Sequence, residues 1–264
     1  MKLGKAWILI LMISKYIDSL GLQIDESYRG DCPQCGGKNT FTVTKTTDGI
    51  LYNCYKLNCF LRGTSSYTFT VNDAKIRKDK KETLSKNFIL PSSVLYKIDI
   101  TSKWAEQYDI PDIDILYDVK EDRIVFPILH EAAIVDATGR AVNRKTIPKW
   151  KRYGNSGYPY VVGEGSIAVV VEDCISAAVV STLNKNFTGV ALLGTALLSN
   201  HIKELEKYST ILVALDPDAV KKTIEFTRQL RGNLSRSKVH AVKLKDDLKY
   251  RTYLDIISLQ NYIY

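Results

Sequence analysis

The chain has 264 residues, of which 45% are hydrophobic and 25% are charged. This composition is ordinary for a globular protein and excludes wholesale disorder, a collagen-like chain and a disulfide-dense secreted mini-domain. The length suits one large domain or two modest ones. Thirty-seven Lys and Arg residues against 29 Asp and Glu residues give a formal net charge of +8. An excess of this size, where it is clustered, indicates a nucleic acid or another anionic surface as partner.

The N-terminus contains a short apolar stretch, residues 6–13, that follows two lysines. Eight residues are far fewer than the roughly 20 that span a bilayer. Lys15 and Asp18 follow where a signal peptide would have small residues at its cleavage site. We therefore expect a buried helix that ends near Gly21, no membrane association and a reducing, cytoplasmic location. Paired cysteines in such a compartment usually bind metal.

Four of the five cysteines form two close pairs within 28 residues. Two residues separate Cys32 from Cys35, and four separate Cys54 from Cys59. Short spacings of this kind let two thiolates on one tight turn reach the same ion, and two such turns complete a tetrahedral zinc site. The runs FTVT and ILYN between the pairs predict a β-hairpin around an Asp-Gly turn. We therefore predict a zinc ribbon rather than free thiols, with a structural zinc because four thiolates leave no open position.

Composition divides the chain into three regions. Residues 1–66 contain the predicted ribbon, and residues 67–87 are rich in charge, which predicts a flexible linker. From residue 88 onward, apolar β-rich runs alternate with helical stretches, which predicts βαβ units around a parallel sheet. The expected fold class is mixed, α+β and α/β, with the small ribbon tethered to a larger core. The predicted strands are residues 123–129, 166–172, 188–193, 210–216 and 238–244, and the predicted helices are residues 173–183, 199–208 and 219–231.

Acidic residues stand at the ends of three predicted strands. Open α/β sheets bind ligands at the carboxyl ends of their strands. Converging carboxylates need hard cations such as Mg²⁺ or Mn²⁺ to remain ionised together. One Asp after a strand is often only a helix N-cap, so it is the three strand ends together that predict a metal site. The acids are Glu172 after the first strand, Asp216 and Asp218 after the second, and Asp246 and Asp247 after the third.

A basic and aromatic stretch without acidic residues lies between residues 137 and 163. Basic side chains neutralise phosphates, and aromatic faces stack on unpaired bases, which is what a single-strand or nucleotide groove needs. A solvated loop is the alternative. The aromatic residues are Trp150, Tyr153, Tyr158 and Tyr160. The basic residues are Arg140, Arg144, Lys145, Lys149, Lys151 and Arg152, with Arg123 nearby in the preceding strand.

Together these motifs resemble those of the bacterial DnaG-like DNA primases and their phage relatives, along nearly the whole chain. The CPQC knuckle, the FTV hairpin and the second cysteine pair are similar to the zinc-binding domain of that family. RIVFPI, ATGRAV and PKWKRYGNS are similar to signatures of its polymerase core, and AVVVE, LLGTA, LVALDPD and KDDL follow the order of its Toprim motifs. Asp173 and Ser176 depart from the family pattern, which has glycine and aspartate at these positions.

The resemblance implies a zinc-binding domain at residues 1–66, a linker at 67–87, a basic polymerase subdomain at 88–165 and a Toprim subdomain at 166–264. It implies synthesis of short RNA primers from NTPs on a single-stranded DNA template for DNA replication, with a replicative helicase as a separate chain. The ribbon would read template bases. Glu172, Asp216 and Asp218 would be catalytic and would hold Mg²⁺ or Mn²⁺, with Asp246 and Asp247 nearby. The triphosphate or template would be held by Arg123, Arg140, Arg144, Lys149, Lys151 and Arg152.

Two other functions share these motifs. A Toprim nuclease or topoisomerase-like enzyme would use the same acids, although PKWKRYGNS favours a polymerase core. A non-catalytic zinc-ribbon DNA-binding replication adaptor would carry a degenerate Toprim core, for which Ser176 is the one indication. Synthesis of oligoribonucleotides on single-stranded DNA separates all three.

Overall fold

The computed structural model describes residues 12–24, 26–46, 49–66, 88–110 and 113–263. The chain forms two compact units, Met1–Thr83 and Leu84–Tyr264. The predicted linker and most of the apolar N-terminal stretch lie outside the described residues. Within the described ranges, no helix has the length and apolar character needed to cross a membrane.

The first unit is a four-stranded antiparallel sheet preceded by a helix, α1, at residues 12–19. The predicted hairpin forms from β2 and β3, with Phe41 opposite Cys54. Phe41 packs with Ile13 and Ile17 of the helix in a small core. So few buried apolar side chains give little stability, and small domains usually add a metal or disulfides. The strands are β1 Ser27–Gly30, β2 Phe41–Lys45, β3 Ile50–Cys54 and β4 Arg62–Ser65.

The second unit contains an antiparallel sheet in the order β5-β6-β7-β8-β9. Its central strand, β7, is buried on both faces. Phe126 packs in the main core with Trp104, whereas Val125 packs on the other face with Val94. The strands are β5 Val94–Leu95, β6 Leu116–Asp118, β7 Arg123–His130, β8 Ala133–Ala141 and β9 Trp150–Arg152, and helix α2 is Ile98–Glu106.

The same unit contains a second sheet in the order β10-β12-β11-β13-β14, in which all strands but β10 are parallel. Helices cover both faces, so β11 alternates between two cores, with Val169 in one and Val170 in the other. That burial explains why its sequence is a continuous apolar run. The elements are β10 Tyr160–Val162, β11 Ile167–Val171, α3 Cys174–Leu183, β12 Phe187–Ala191, α4 Ser199–Leu205, β13 Thr210–Val213, α5 Val220–Asn233, β14 Lys238–Ala241 and α6 Tyr253–Gln260.

Strand β10 begins this sheet earlier in the sequence than residue 166, where we predicted the second subdomain to start. Tyr160 lies opposite Ala191 of β12, and its ring meets Phe126 edge-on at 5.5 Å between centroids. Tyr158 stacks on His130 at 4.2 Å. Tyr158 and Tyr160 are therefore buried core residues, because the chain leaves the basic stretch to form a strand of the second sheet.

Candidate functional site

The four predicted zinc ligands come together at one end of the first unit. The sulfur of Cys32 lies 3.9 Å from that of Cys59, and the sulfur of Cys35 lies 3.8 Å from that of Cys54. All four sulfurs lie within 4.8 Å of one another. A tetrahedron of sulfurs about 2.3 Å from a zinc ion has edges of about 3.8 Å. The spacing therefore fits a structural zinc ion bound by four thiolates.

Local backbone geometry produces this arrangement. In the first knuckle the Gly36 N–H donates to the Cys32 carbonyl at 2.9 Å, and in the second the Cys59 N–H donates to the Lys56 carbonyl at 3.0 Å. Gly36 has φ +64°, a conformation that glycine adopts without strain. The Thr40 hydroxyl lies 3.4 Å from the Cys54 sulfur. Each knuckle thus turns the chain tightly enough to present two sulfurs to one point.

Four acidic residues of the second unit interact electrostatically at the carboxyl edge of the parallel sheet. Strands β11 and β13 are neighbours, so Glu172 and Asp216 leave the sheet at the same edge. Burial raises the pKa of Asp216 to about 6, and the negative charges of Glu172 and Asp173 add to this effect. Burial also raises the pKa of Glu172, to which Asp218 adds while Lys222 opposes it. A divalent cation relieves this type of repulsion between half-buried carboxylates.

This acidic edge is more open than the cysteine site. Among the described residues, the four cysteines are the only group of three or more Cys, His, Asp or Glu residues with ligand atoms within 4.8 Å of one another. The carboxylates therefore act on each other through space without enclosing a point. Mg²⁺ usually keeps several waters and binds one or two carboxylates together with substrate phosphates. The donor chemistry of the edge fits such an open site.

Asp173 combines two roles at this edge. Its carboxylate caps helix α3 by accepting the N–H groups of Ile175 at 2.8 Å and Ser176 at 3.0 Å. Its negative charge also acts on Asp216. Ser176 itself is buried within the first turn of α3. Position 173 therefore carries a carboxylate at the start of α3, and position 176 carries a buried hydroxyl.

The third strand end carries Asp246 and Asp247 after β14. Asp246 is exposed, and its N–H donates to the buried carboxylate of Asp255 at 3.1 Å. Asp247 forms an ion pair with Lys249. The positive charge of Lys249 opposes the rise in the pKa of Asp216. Lys249, which the sequence analysis did not identify, thus links the third strand end electrostatically to Asp216 at the second.

Arg123 and Lys151, which we predicted to bind phosphate, share an acidic partner within the fold. Arg123 is buried, and its Nε lies 3.3 Å from a carboxylate oxygen of Glu121. It also donates to the carbonyl of Pro148 at 2.9 Å. Lys151 forms an ion pair with the same glutamate. Arg123 therefore holds the connection before β9, which positions the neighbouring Lys149.

Arg152 is held by a fully buried carboxylate. Asp136 in β8 accepts the Nε–H of Arg152 at 3.0 Å. The same carboxylate accepts the N–H groups of Gly154 at 2.8 Å and Ser156 at 2.9 Å. Arg152 also donates to the carbonyl of Tyr158 at 3.4 Å. Asp136 thus organises the chain that leaves β9, and the guanidinium of Arg152 completes its shell of donors.

Arg140 and Lys149 interact electrostatically with acids of the acidic edge. Partial burial lowers the pKa of both residues, and the negative charge of Asp173 opposes that effect in each. Asp216 acts on Lys149 in the same direction as Asp173. The Arg140 guanidinium lies 5.2 Å from the centroid of the Trp150 ring. Arg140 is therefore coupled electrostatically to Asp173, and Lys149 to Asp173 and Asp216. Arg144, Lys145 and Lys149 are exposed on the connection between β8 and β9.

The sequence analysis missed Asp136, Glu121 and Lys249. The stretch without acidic residues begins at residue 137, one position after Asp136, and Glu121 lies two positions before Arg123. Both acids were within reach of a wider window, but their pairing depends on strand register. Lys249 lies two positions after Asp247, so the sequence already shows a cation close to this strand end.

Comparison with known proteins finds similarity in structure only. No protein-family model and no curated protein sequence matches the chain. A DnaG primase catalytic domain bound to single-stranded DNA has 15% identity and a TM-score of 0.41, over 61% of this chain and 57% of that one. The zinc-binding and RNA polymerase domains of the Aquifex aeolicus primase have 17% identity and a TM-score of 0.44, over 96% of this chain and 82% of that one.

A DNA primase domain from Pseudomonas aeruginosa has 19% identity and a TM-score of 0.38, over 62% of each chain. The match thus spans less than two thirds of the Pseudomonas domain and of the DNA-bound catalytic domain. The structural neighbours of this chain are therefore catalytic and zinc-binding domains of DnaG-type primases, at low sequence identity.

Proposed function

We propose that the protein is a DNA primase that synthesises short RNA primers on single-stranded DNA from NTPs. The observation that carries this proposal is that Glu172 and Asp216 follow two neighbouring parallel strands at one edge of the sheet. At that edge Asp216 acts electrostatically on Lys149, and Asp173 acts on both Lys149 and Arg140. Phosphoryl transfer depends on positioning and on stabilising charge that is spread over phosphate oxygens. The order of the sequence motifs, which resembles that of the DnaG-like primases, supports the same function.

The acidic edge would hold the catalytic metal ions, with Glu172, Asp216 and Asp218 as ligands and Asp246 and Asp247 nearby. When bound, Mg²⁺ or Mn²⁺ would neutralise triphosphate oxygens and stabilise the leaving pyrophosphate. In the overall reaction, the 3′-hydroxyl oxygen of one nucleotide bonds to the α-phosphorus of the next, and the bond from that phosphorus to pyrophosphate breaks. The second sheet would be a Toprim subdomain in this assignment.

The cations of the antiparallel sheet would have two tasks. Arg140 and Lys149 would bind phosphate oxygens beside the acidic edge, and the exposed Arg144 would contact the template backbone. Arg123 and Arg152 would keep β8, β9 and their connections in shape through Glu121 and Asp136. Lys151, whose partner is also Glu121, would contribute less to phosphate binding than Lys149.

The zinc ribbon would bind the template strand. Its second knuckle exposes Tyr55, Leu57 and Phe60, and the Arg29 guanidinium lies 6.0 Å from the centroid of the Tyr55 ring. Aromatic faces beside cations suit unpaired bases and their phosphates. A separate helicase chain would deliver single-stranded DNA, and the protein would act in the cytoplasm of a bacterial or phage-infected cell.

The test is primer synthesis by the full, zinc-loaded chain on single-stranded DNA with labelled NTPs and Mg²⁺ or Mn²⁺. We expect template-dependent oligoribonucleotides that ribonuclease degrades. Asp216→Asn should lower their yield by about 100-fold or more, because metal ions supply several kcal/mol of charge stabilisation. Its DNA affinity should stay the same or rise, because a carboxylate no longer repels phosphate. Glu164→Gln, an exposed acid before the opposite end of β11, is the matched control.

Two outcomes would contradict the proposal. Metal-dependent cleavage of DNA without RNA synthesis would indicate a Toprim nuclease or topoisomerase-like enzyme. DNA binding with neither reaction would indicate a replication adaptor. Wild-type yield in Asp216→Asn would show that the acidic edge is not the catalytic site.

A further inference from the structure

A short turn directly after the acidic pair presents a lysine and an exposed tyrosine. The 3-10 turn Leu248–Tyr250 follows strand β14. The Lys249 ammonium lies 5.0 Å from the centroid of the Tyr250 ring and is paired with Asp247. The Tyr250 residue is 64% exposed. An exposed aromatic ring with a cation beside it matches an unpaired base and its phosphate.

The turn lies at the acidic edge of the sheet. Strand β14 is parallel to β13, and the Val242 N–H donates to the Val213 carbonyl at 2.9 Å. The chain after β14 therefore leaves the sheet at the same edge as Asp216. The turn packs against helix α3, which begins directly after Asp173.

Buried contacts hold the turn from its own side of the sheet. Leu248 is buried in the main core of the unit. Asp255 in α6 is also buried, and its carboxylate accepts the N–H groups of Lys245 at 2.8 Å and Asp246 at 3.1 Å. A buried carboxylate that accepts two backbone donors fixes the path of the chain into the turn.

Arg251 fixes the end of the turn. Its side chain donates to the carbonyls of Tyr108 at 3.1 Å and Asp109 at 2.6 Å, and to the Thr182 hydroxyl at 2.8 Å. Arg251 has φ 52°, which is unfavourable for a residue with a side chain and persists only where surrounding contacts impose it. These contacts therefore hold Lys249 and Tyr250 in place before any ligand binds, which lowers the entropy cost of binding.

We propose that Lys249 and Tyr250 form a nucleotide-binding pair, in which Tyr250 stacks on an unpaired base and Lys249 binds the phosphate of that nucleotide. The proposal rests on the proposed function for the presence of nucleotides at this edge, and it goes further by assigning base recognition to a residue pair. Two sources offer the same chemistry, an incoming NTP and the single-stranded template. The experiment separates them.

The test compares ligands with and without bases on the full, zinc-loaded chain in the presence of Mg²⁺. One arm compares ATP with inorganic tripolyphosphate, and the other compares a thymidine oligonucleotide with an abasic oligonucleotide of equal length. In one of the arms, Tyr250→Ala should weaken binding of the base-bearing ligand by about fivefold or more and leave binding of the base-free ligand unchanged. That arm identifies the source. Tyr250→Phe should bind as the wild type does.

Lys249→Met should weaken the binding of both ligands in the same arm, because both contain phosphate. The matched control is Tyr253→Ala, which removes a tyrosine of similar exposure, 73%, at the start of α6. It should leave both arms unchanged. An unchanged preference for bases in Tyr250→Ala, or an equal loss in Tyr253→Ala or Tyr250→Phe, would overturn the pair.

The outcome is distinguishable from that of the primase proposal. If the wild type makes no primers and Tyr250→Ala loses base-dependent binding, the primase proposal is overturned and the nucleotide-binding pair is retained. If the wild type makes primers and Tyr250→Ala keeps base-dependent binding, the nucleotide-binding pair is overturned and the primase proposal is retained.

Discussion

The cysteine site and the acidic edge differ in how completely the chain builds them. The four sulfurs of the first unit already have the spacing of a zinc tetrahedron, at 3.8 and 3.9 Å across two of its edges. In the second unit, burial and neighbouring negative charges raise the pKa of Glu172 and Asp216, but the carboxylates do not enclose a point. A closed set of protein ligands suits a metal that stabilises a fold, whereas an open set leaves positions for substrate and water.

The difference follows from the core available to each unit. In the first unit, helix α1 and strand β2 supply a small cluster around Phe41, so a bound metal contributes much of the stability. In the second unit, β11 is buried on both faces, and that large core tolerates repulsion at one edge. The largest expected effects on stability therefore concern the first unit, and the smallest concern the acidic edge.

Replacing one zinc ligand should have the largest effect. We expect one Zn²⁺ per wild-type chain, whereas Cys54→Ser should lose the ion and unfold residues 12–66, because zinc binding supplies roughly 10–16 kcal/mol to such sites. Zinc analysis and limited proteolysis measure both changes. Cys174→Ser, at a buried thiol of the second unit, should keep the zinc. A metal-free wild type with a protease-resistant first unit would contradict the prediction.

Removing the buried carboxylate of Asp136 should have the next largest effect. Asp136→Ala leaves Arg152 and the Gly154 and Ser156 N–H groups without their acceptor, so we expect a loss of about 3 kcal/mol or more. Urea unfolding of the second unit measures it. Asp99→Ala, at an exposed acid in the first turn of α2, should cost less than about 1 kcal/mol. Equal losses would show that Asp136 does not organise the chain after β9.

The cysteine site and the strands of the second unit show which features the sequence predicts and which it does not. Cysteine spacing predicted that four sulfurs come together, because two tight knuckles each supply two of them. The strands β11 and β13 were identified because burial on both faces makes their sequences almost continuously apolar. The predicted run to residue 216 extends past the end of β13 at Val213, because Ala214 and Leu215 are still buried after the strand ends.

The pairing of the basic residues was not predictable from local sequence. Arg123, Lys151 and Arg152 look like phosphate ligands in a window without acids, yet Glu121 and Asp136 reach them across strands. Strand register decides such contacts, and local sequence does not specify it.

The contrast between paired and unpaired cations predicts an effect on DNA binding. Lys149→Ala should weaken single-stranded DNA binding and lower the slope of log affinity against log salt by about 0.7, the value for one phosphate contact. Lys151→Ala should lower the slope by less than Lys149→Ala does, because Lys151 already forms an ion pair with Glu121. Titrations at several salt concentrations measure both slopes. An equal fall in the two variants would contradict the distinction.

The smallest expected effect is a pH dependence of stability at the acidic edge. Burial, Glu172 and Asp173 raise the pKa of Asp216 to about 6 in the folded state, whereas an unfolded Asp has a pKa of about 3.9. The folded chain therefore binds the proton more tightly. Its stabilising contribution is complete below about pH 4 and is lost as pH rises through 6. Because Asp216 is only half-buried, we expect a change below about 1 kcal/mol.

Asp216→Asn isolates this contribution, because an amide stays neutral at every pH. Without added Mg²⁺, the zinc-loaded variant should be more stable than the wild type at pH 8, and the difference in unfolding free energy should shrink toward pH 4. Adding Mg²⁺ at pH 8 should stabilise the wild type more than the variant, because the cation relieves the repulsion that the amide has already removed. Urea unfolding of the second unit at both pH values, with and without Mg²⁺, measures four unfolding free energies for each protein. A difference that stays constant with pH would mean that the edge already holds its carboxylates without strain, and the reason for expecting a cation there would be lost.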